Sequence, residues 1–289
     1  MKKILVTGGA GFIGHNLIKY LIKNVNFEYI FSLDNYSSGS KLNHQKNKKI
    51  KYLKGSTTNL IDNKRLKKIG FDTVFHFAEF SRIVPSFEFS EDCWNSNIIG
   101  TYNVIQFCLK KKARLVYSAS SSTMGKNKYL SPYSWTKYVN DETIKNYSKW
   151  FGLKYNIVYF YNVYGPGHIK NGKMMAVIGI FENQYSQGVP LTVVKPGTQK
   201  RDFTHIEDII MGTILATKKT VNSEFHIGSG KNYTLLQVAK FFKSKIKMID
   251  ERPGERFYSL SDSKLAFKKL GYSPKNDLKQ YIQEFINKN

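Results

Sequence analysis

Lys3-Ile4-Leu5-Val6-Thr7-Gly8-Gly9-Ala10-Gly11-Phe12-Ile13-Gly14 decides the fold of this chain, together with Asp34, which follows twenty residues after the last of those glycines. The β-branched run before Gly8 reads as a buried strand, and the apolar spacing of residues 16–23 reads as a helix. Between them the glycines permit a tight turn and let the backbone approach a pyrophosphate. That group would rest on the amino end of the helix, where free N–H groups and the helix dipole favour negative charge. A second strand, residues 29–33, brings Asp34 to its end. A carboxylate there accepts hydrogen bonds from both hydroxyls of an adenosine ribose and repels a 2′-phosphate. No arginine lies near Asp34 in the sequence, so the fingerprint predicts NAD rather than NADP, held by Gly8, Gly11, Gly14 and Asp34.

The same rhythm continues. Strand-like runs at 4–7, 29–33, 50–54, 73–77, 115–118 and 155–160 alternate with helical stretches at 14–23, 63–69, 91–110 and 134–150. Strands separated by helices predict an α/β fold, a Rossmann-type doubly wound parallel sheet covered on both faces. Ligands in such sheets bind beyond the carboxyl ends of the strands. After Gly165 the rhythm becomes irregular: helices are expected at 174–187, 235–244 and 263–270 and a short strand at 191–194. The expected division is therefore residues 1–165 as the NAD-binding domain and 166–289 as a smaller C-terminal α/β substrate lobe, with 203–217 returning to the first domain. A ligand would lie between the two.

Composition bounds the function without deciding it. At 289 residues and 41% hydrophobic the chain can bury a full core. Its net charge of +24 comes from 45 Lys+Arg against 21 Asp+Glu, a balance that can mark a nucleic-acid surface. Lysines dominate and are scattered, however, and arginine, the better fork for phosphates and base edges, is scarce. An anionic small substrate is favoured over nucleic acid. Cys93 and Cys108 are the only cysteines, so no disulfide framework is implied, and the opening residues lack a signal peptide's apolar core. A cytoplasmic protein with no membrane span is expected. The six histidines show no metal-ligand spacing, so no metal is expected.

The end of the fifth strand supplies the chemistry. Val116-Tyr117-Ser118-Ala119-Ser120-Ser121-Ser122-Thr123-Met124-Gly125 places hydroxyls at a strand terminus, and Pro132-Tyr133-Ser134-Trp135-Thr136-Lys137 opens the next helix. Tyr133 and Lys137 are four apart and share a helix face. A free phenol, with a pKa of about 10, is a poor base at neutral pH. A neighbouring ammonium and a positively charged nicotinamide both stabilise the phenolate. Ser120 would hydrogen-bond a substrate hydroxyl as it loses its proton. Tyr133, Lys137 and Ser120 are the candidate catalytic set.

With these residues assembled, the chain resembles the extended short-chain dehydrogenase/reductase family, specifically the NAD-dependent nucleotide-sugar epimerases and dehydratases. The resemblance runs over nearly the whole length. Besides the glycine turn and the Ser/Tyr/Lys set it rests on Asp34-Asn35, His76-Phe77-Ala78, Asn97-Ile98-Ile99-Gly100-Thr101, Tyr161-Asn162-Val163-Tyr164-Gly165-Pro166-Gly167, Arg201-Asp202-Phe203-Thr204-His205-Ile206-Glu207-Asp208 and Arg252-Pro253-Gly254-Glu255. It implies that Phe12, Ile13, Asn35, Ser56, Thr57, Phe77, Ala78, Asn97 and Ser118 join the cofactor contacts, as do Tyr133 and Lys137. By the same resemblance Ser120, Ser121, Asn162, Arg201, Arg252 and Glu255 would hold a nucleotide-diphosphate sugar, with the arginines on its diphosphate or nucleoside. Planar bidentate donors suit a diphosphate better than lysines do. Ser259 would gate the size of the sugar or, alternatively, face solvent from a strand. A homodimer is implied as well, built by pairing the 91–110 and 134–150 helices into a four-helix interface.

The residues after Ser120 bear on the reaction. Family members that eliminate water carry acids there, whereas this chain has Ser121 and Ser122, leaving no evident acid/base pair for elimination. Epimerisation at C4 through a 4-keto intermediate needs only Tyr133, Lys137, Ser120 and NAD, and is the leading expectation. A 4-dehydrogenase, 4,6-dehydratase or 4-keto reductase on the same scaffold is the alternative, and a catalytically silent NAD- or nucleic-acid-binding module is a third. Several positions depart from the family pattern. Ser56 stands where an acid usually meets adenine, Met124 replaces a tyrosine, and the loop from Gly125 to Tyr133 is short. Glu79 stands where a small residue is common, as an additional acid/base group or, the favoured reading, as a solvated side chain.

Overall fold

The six apolar runs each form a strand: β1 Lys3–Thr7, β2 Tyr29–Asp34, β3 Ile50–Lys54, β4 Thr73–His76, β5 Arg114–Ser120 and β6 Tyr155–Phe160. The computed structural model describes residues 1–289, and in it these strands pair in parallel with a seventh, Ser223–Ile227. The spatial order is Ser223–Ile227, β6, β5, β4, β1, β2, β3. Strand order reverses between β1 and β4, so a crevice opens beyond the carboxyl ends of these two strands, at Thr7 and His76.

Both faces of the sheet are covered, which explains why its strands are nearly continuous apolar runs. One face buries Ile4, Val6, Phe75, Val116 and Val158 against Leu17, Ile18 and Leu21 of helix Phe12–Asn24 and against Ile209, Ile210 and Ile214 of helix Ile206–Lys219. The other buries Leu5, Val74, Leu115, Tyr117 and Ile157 against Val104, Ile105 and Cys108 of helix Gly100–Lys111 and Ile144 of helix Pro132–Phe151. The expected helix over 91–110 is interrupted. Ser90–Trp94 is α-helical, Asn95–Ile99 forms a π-turn, and Gly100–Lys111 resumes the α-helix.

The segment that returns to the first domain is longer than the expected 203–217. It comprises the whole helix Ile206–Lys219 and the Ser223–Ile227 strand paired with β6. Helix Lys264–Leu270 also packs there, burying Ala266 and Leu270 in the first core. The apolar residues of these segments match that face and leave no unpaired edge at β6. The smaller lobe has its own core of Tyr164, Ile178, Phe181, Leu191, Val193 and Phe242 with neighbours. Helices Val177–Ser186, Leu235–Phe241 and Leu278–Lys288 surround short two-stranded pairs there, including Leu191–Val194 beside Ile246–Ile249. No helix is long and apolar enough to cross a membrane.

Candidate active site

The crevice at the strand-order reversal is one end of a cleft of about 720 Å³ that runs between the sheet and the smaller lobe. Gly8, Gly11, Phe12, Ile13 and Gly14 line it, as do Phe77, Ser118, Ser120, Ser121, Tyr133, Lys137, Asn162, Arg201, Arg252 and Glu255.

The turn after β1 has the shape that a dinucleotide requires. Gly8 has φ of +73°, and a Cβ there would meet the Phe77 and Ala78 backbone at 2.8 Å. A Cβ on Gly14 would lie 2.1 Å from the Gly8 carbonyl oxygen, so only glycine lets the helix start this close to the strand. Gly11 caps that helix with no side-chain hydrogen bond, which leaves its first N–H groups turned to the cleft end rather than to a capping side chain. Asp34, 6% exposed, accepts from the Ala10 N–H at 2.9 Å and the Tyr36 N–H at 2.8 Å. Each carboxylate oxygen retains a lone pair for a ribose hydroxyl. The residues therefore fit NAD.

Several expected cofactor contacts stand behind the cleft rather than in its wall. Asn97 is fully buried; its side-chain oxygen accepts from the Phe80 N–H at 2.7 Å and its amide donates to the Phe80 carbonyl and to Thr136. It thus fixes the loop that follows β4. Ala78 flanks the glycine turn, its N–H facing the Thr7 hydroxyl at 3.4 Å. The Asn35 side chain accepts from the Ser37 N–H, and Ser56 caps the short turn Thr57–Asn59. Thr57 is buried against Gly100. Ser259 is buried too, away from solvent and outside the cleft wall, and its N–H pairs with the Lys200 carbonyl. Its burial excludes the solvent-facing alternative.

Helix Pro132–Phe151 sets the geometry of the candidate catalytic residues. Ser131 caps it by accepting from the Ser134 N–H at 3.1 Å, and Pro132 occupies the first helical position. Tyr133, 9% exposed, is held in the first turn, where its N–H donates to the Ser86 hydroxyl. Lys137 follows one turn later, and its ammonium donates to the Ser118 carbonyl at 2.5 Å. Ser120 ends β5, and its hydroxyl accepts from the Ser122 N–H at 3.1 Å. Strand end and helix start thereby converge on one wall of the cleft.

The solvated side chain expected at Glu79 is instead buried, with 2% of it exposed, and it is ion-paired to the Lys137 ammonium. Its other oxygen accepts from the Tyr117 hydroxyl at 2.9 Å, the Asn140 amide at 3.1 Å and the Thr101 hydroxyl at 3.2 Å. The cause is the cation: a buried ammonium requires a counter-charge, and Glu79 is the carboxylate that reaches it. Thr101 spends its proton on Glu79, so His76 donates to Thr101 through Nε2 at 2.9 Å and accepts from Thr7 through Nδ1 at 2.7 Å. Burial, reinforced by the Lys137 charge and opposed by Glu79, lowers the His76 pKa to about 4. His76 is a neutral spacer that locks the β1–β4 junction.

Two further arginines enter the site. Arg82 donates from Nε to the Met174 carbonyl at 2.8 Å, bridging the first domain to the smaller lobe. Arg256, 7% exposed, donates from Nη1 to the Ser121 hydroxyl at 3.2 Å, while its Nε is buried without a partner. Arg201 is ion-paired to Glu255 at 2.5 Å. Burial lowers its pKa to about 10, with the Arg256 charge adding to the shift and Glu255 opposing it. Asn162 donates to the Asp202 carbonyl at 2.7 Å. The signal for Arg82 and Arg256 was present in the sequence: only six arginines occur, and four line this cleft. Of the positions where other members carry acids, Ser121 faces the cleft and Arg256, whereas Ser122 is fully buried with its hydroxyl unpartnered.

Residues 4–228 match the NAD dependent epimerase/dehydratase family. A Methanocaldococcus jannaschii protein to which a UDP-glucose 4-epimerase activity is ascribed is 31% identical, with 98% of this chain and 97% of the relative covered. Among solved structures, UDP-glucose 4-epimerase from Thermotoga maritima with UDP-glucose superposes with a TM-score of 0.89 at 27% identity, covering 98% of this chain and 97% of that one. UDP-glucuronic acid 4-epimerase from Bacillus cereus, in complex with UDP-glucuronic acid and NAD, superposes with a TM-score of 0.87 at 25% identity, covering 100% and 99%.

Proposed function

Since the chain belongs to the NAD dependent epimerase/dehydratase family and uses its cofactor, NAD, we propose that it is a nucleotide-sugar epimerase acting at C4 through a 4-keto intermediate. The observation that carries this reading is the convergence of Ser120, Tyr133 and Lys137 on the cleft wall that continues from the glycine turn. No carboxylate stands at positions 121 and 122. Glu79, the buried acid nearby, is tied to Lys137 and is not free to serve an elimination.

In this mechanism the Tyr133 oxygen takes the proton of the C4 hydroxyl, and Ser120 holds that oxygen as its bond order changes. Bound NAD supplies a hydride acceptor that later returns the hydride to C4. Lys137 lies one helical turn from Tyr133 on the same helix face, its ammonium held in place by Glu79 and the Ser118 carbonyl. Arg201 and Arg252 grip the diphosphate, so the released 4-keto ring turns over while its anchor stays fixed. Tyr133 then returns the proton to the C4 oxygen, and because the ring has turned over, C4 presents its opposite face for the returning hydride, which inverts its configuration. The 4-dehydrogenase, 4,6-dehydratase and 4-keto reductase alternatives would each give a different product balance.

Incubation of the holoenzyme with UDP-glucose, UDP-N-acetylglucosamine and UDP-glucuronic acid, followed by NMR, tests the proposal. A C4 epimer without net NADH is the expected product. Accumulated NADH or a 4-keto-6-deoxy sugar would overturn it. We further propose that the chain works as a homodimer through helices Ser90–Trp94, Gly100–Lys111 and Pro132–Phe151. They carry Trp94, Tyr102, Trp150 and Phe151 on the surface.

A further inference from the structure

The charges of the cleft do not balance. Three of its cations are matched by carboxylates: Lys137 by Glu79, Lys173 by Glu88 and Arg201 by Glu255. Arg82, Arg252 and Arg256 also line the cleft and have no carboxylate within ion-pairing distance. A nucleotide-sugar diphosphate brings two negative charges. Arg252 is assigned to that diphosphate, whereas the buried Arg256 guanidinium lies beside Ser121. Arg256 binds the Ser121 hydroxyl, one residue past Ser120, and Arg82 lines the same cleft as Tyr133. Arg256 therefore stands next to the residue proposed to hold the C4 hydroxyl, with Arg82 on the wall of the same cleft.

We propose that Arg82 and Arg256 form a recognition site for a carboxylate on the sugar ring, making an acidic sugar nucleotide, a hexuronate, the substrate class. This deepens the C4-epimerase reading and rests on it for the placement of the ring. C6 of a hexopyranose hangs from C5, next to C4, so a carboxylate there falls beside the group held by Tyr133 and Ser120. The Arg256 Nε is the decisive atom: a charged donor, nine-tenths buried, with no acceptor in the protein. A buried polar group is stable only when its hydrogen bond is made, and a carboxylate supplies the missing acceptor in the bidentate geometry that guanidinium favours. A neutral hydroxymethyl at C6 would leave that charge unmatched.

Calorimetric titration of the NAD-loaded protein with UDP-glucuronic acid and with UDP-glucose gives the direct test. The acidic sugar is expected to bind more tightly. Arg256→Met is expected to reduce the ratio of the two affinities by about 10- to 100-fold, the range for a hydrogen bond to a charged group. Arg82→Gln should reduce it in the same direction and serves as the second variant should Arg256→Met fold poorly. Equal affinity for both sugars in the parent protein, or an equal loss for both in the two variants, would overturn the proposal. Equal loss would mean that the arginines serve Tyr133 or the diphosphate. Binding is read without turnover, so the two readings fail separately. A UDP-pentose formed with release of CO2 would remove the epimerase reading while supporting the carboxylate site. A C4 epimer formed from UDP-glucose with no preference for the acid would do the reverse.

Discussion

A single phenolic oxygen is asked to carry the proton, and its removal is the sharpest residue-scale prediction. Tyr133→Phe keeps the ring that fills its place but deletes the acid/base group. Turnover should fall by about 10²- to 10⁴-fold, the contribution of a positioned general base, with NAD affinity in a fluorescence titration within about threefold of the parent. Unchanged turnover would remove Tyr133 from the chemistry. Tyr133, Lys137 and Ser120 were legible in the sequence because helix spacing and a strand end fix their neighbours locally. Glu79 was not, since its burial is decided by Lys137 and Asn140, each more than fifty residues away. Breaking the pair from one side strands a buried charge, so Glu79→Gln and Lys137→Met should each destabilise the fold by roughly 3 kcal/mol in urea titrations. The double variant should cost clearly less than the sum, and strict additivity would show that the two side chains do not interact.

Among the elements, helix Pro132–Phe151 serves both the site and the core, and its inward face includes Asp141, 2% exposed with Oδ1 lacking a partner. Burial, with Glu224 and Glu79 adding, pushes the Asp141 carboxyl well above the ordinary range against the pull of Lys137 and Lys145. The sign of the pH effect follows. The folded chain keeps this proton, whereas the unfolded chain releases it at about pH 4. The stability it contributes is full below that pH and declines as pH rises toward the folded pKa. Asp141→Asn should therefore raise the melting temperature at pH 7 to 8, by an amount equivalent to about 1 kcal/mol or more, and match the parent near pH 4. A gain that is the same at both pH values would refute a titrating Asp141. Element boundaries in the first domain were readable because parallel strands buried on both faces are short apolar runs bracketed by amphipathic helices. The smaller lobe was less so. Its strands are two to four residues long and pair across distant segments, as Ile246–Ile249 does with Leu191–Val194. Helix Leu278–Lys288 did leave a signal: Asp277 caps it by accepting from Lys279 and Gln280, and Leu278, Tyr281, Ile282 and Phe285 repeat at helical spacing.

On the scale of the whole molecule, the distribution of charge and apolar surface separates two faces. Most of the +24 charge is lysine spread over the exterior, whereas the arginines gather in the cleft, so the general field draws in an anion and the cleft selects among anions. The apolar excess lies elsewhere. Trp94, Tyr102, Trp135, Trp150 and Phe151 are each between 39% and 64% exposed on helices that pack beside one another, with Tyr102 edge-to-face on Tyr147 at 6.2 Å. Five large side chains exposed on one group of adjoining helices leave much apolar surface in water, and burying it against a second copy would release that area from water. A twofold pairing is self-complementary, so one substitution places two new charges in the same interface. Light scattering should then report twice 33.3 kDa for the parent, and Tyr102→Glu should shift it to the single-chain mass while far-UV circular dichroism stays unchanged. A monomeric parent would refute the pairing. So would a Tyr102→Glu dimer, because the exposed ring on helix Gly100–Lys111 would then lie outside the contact.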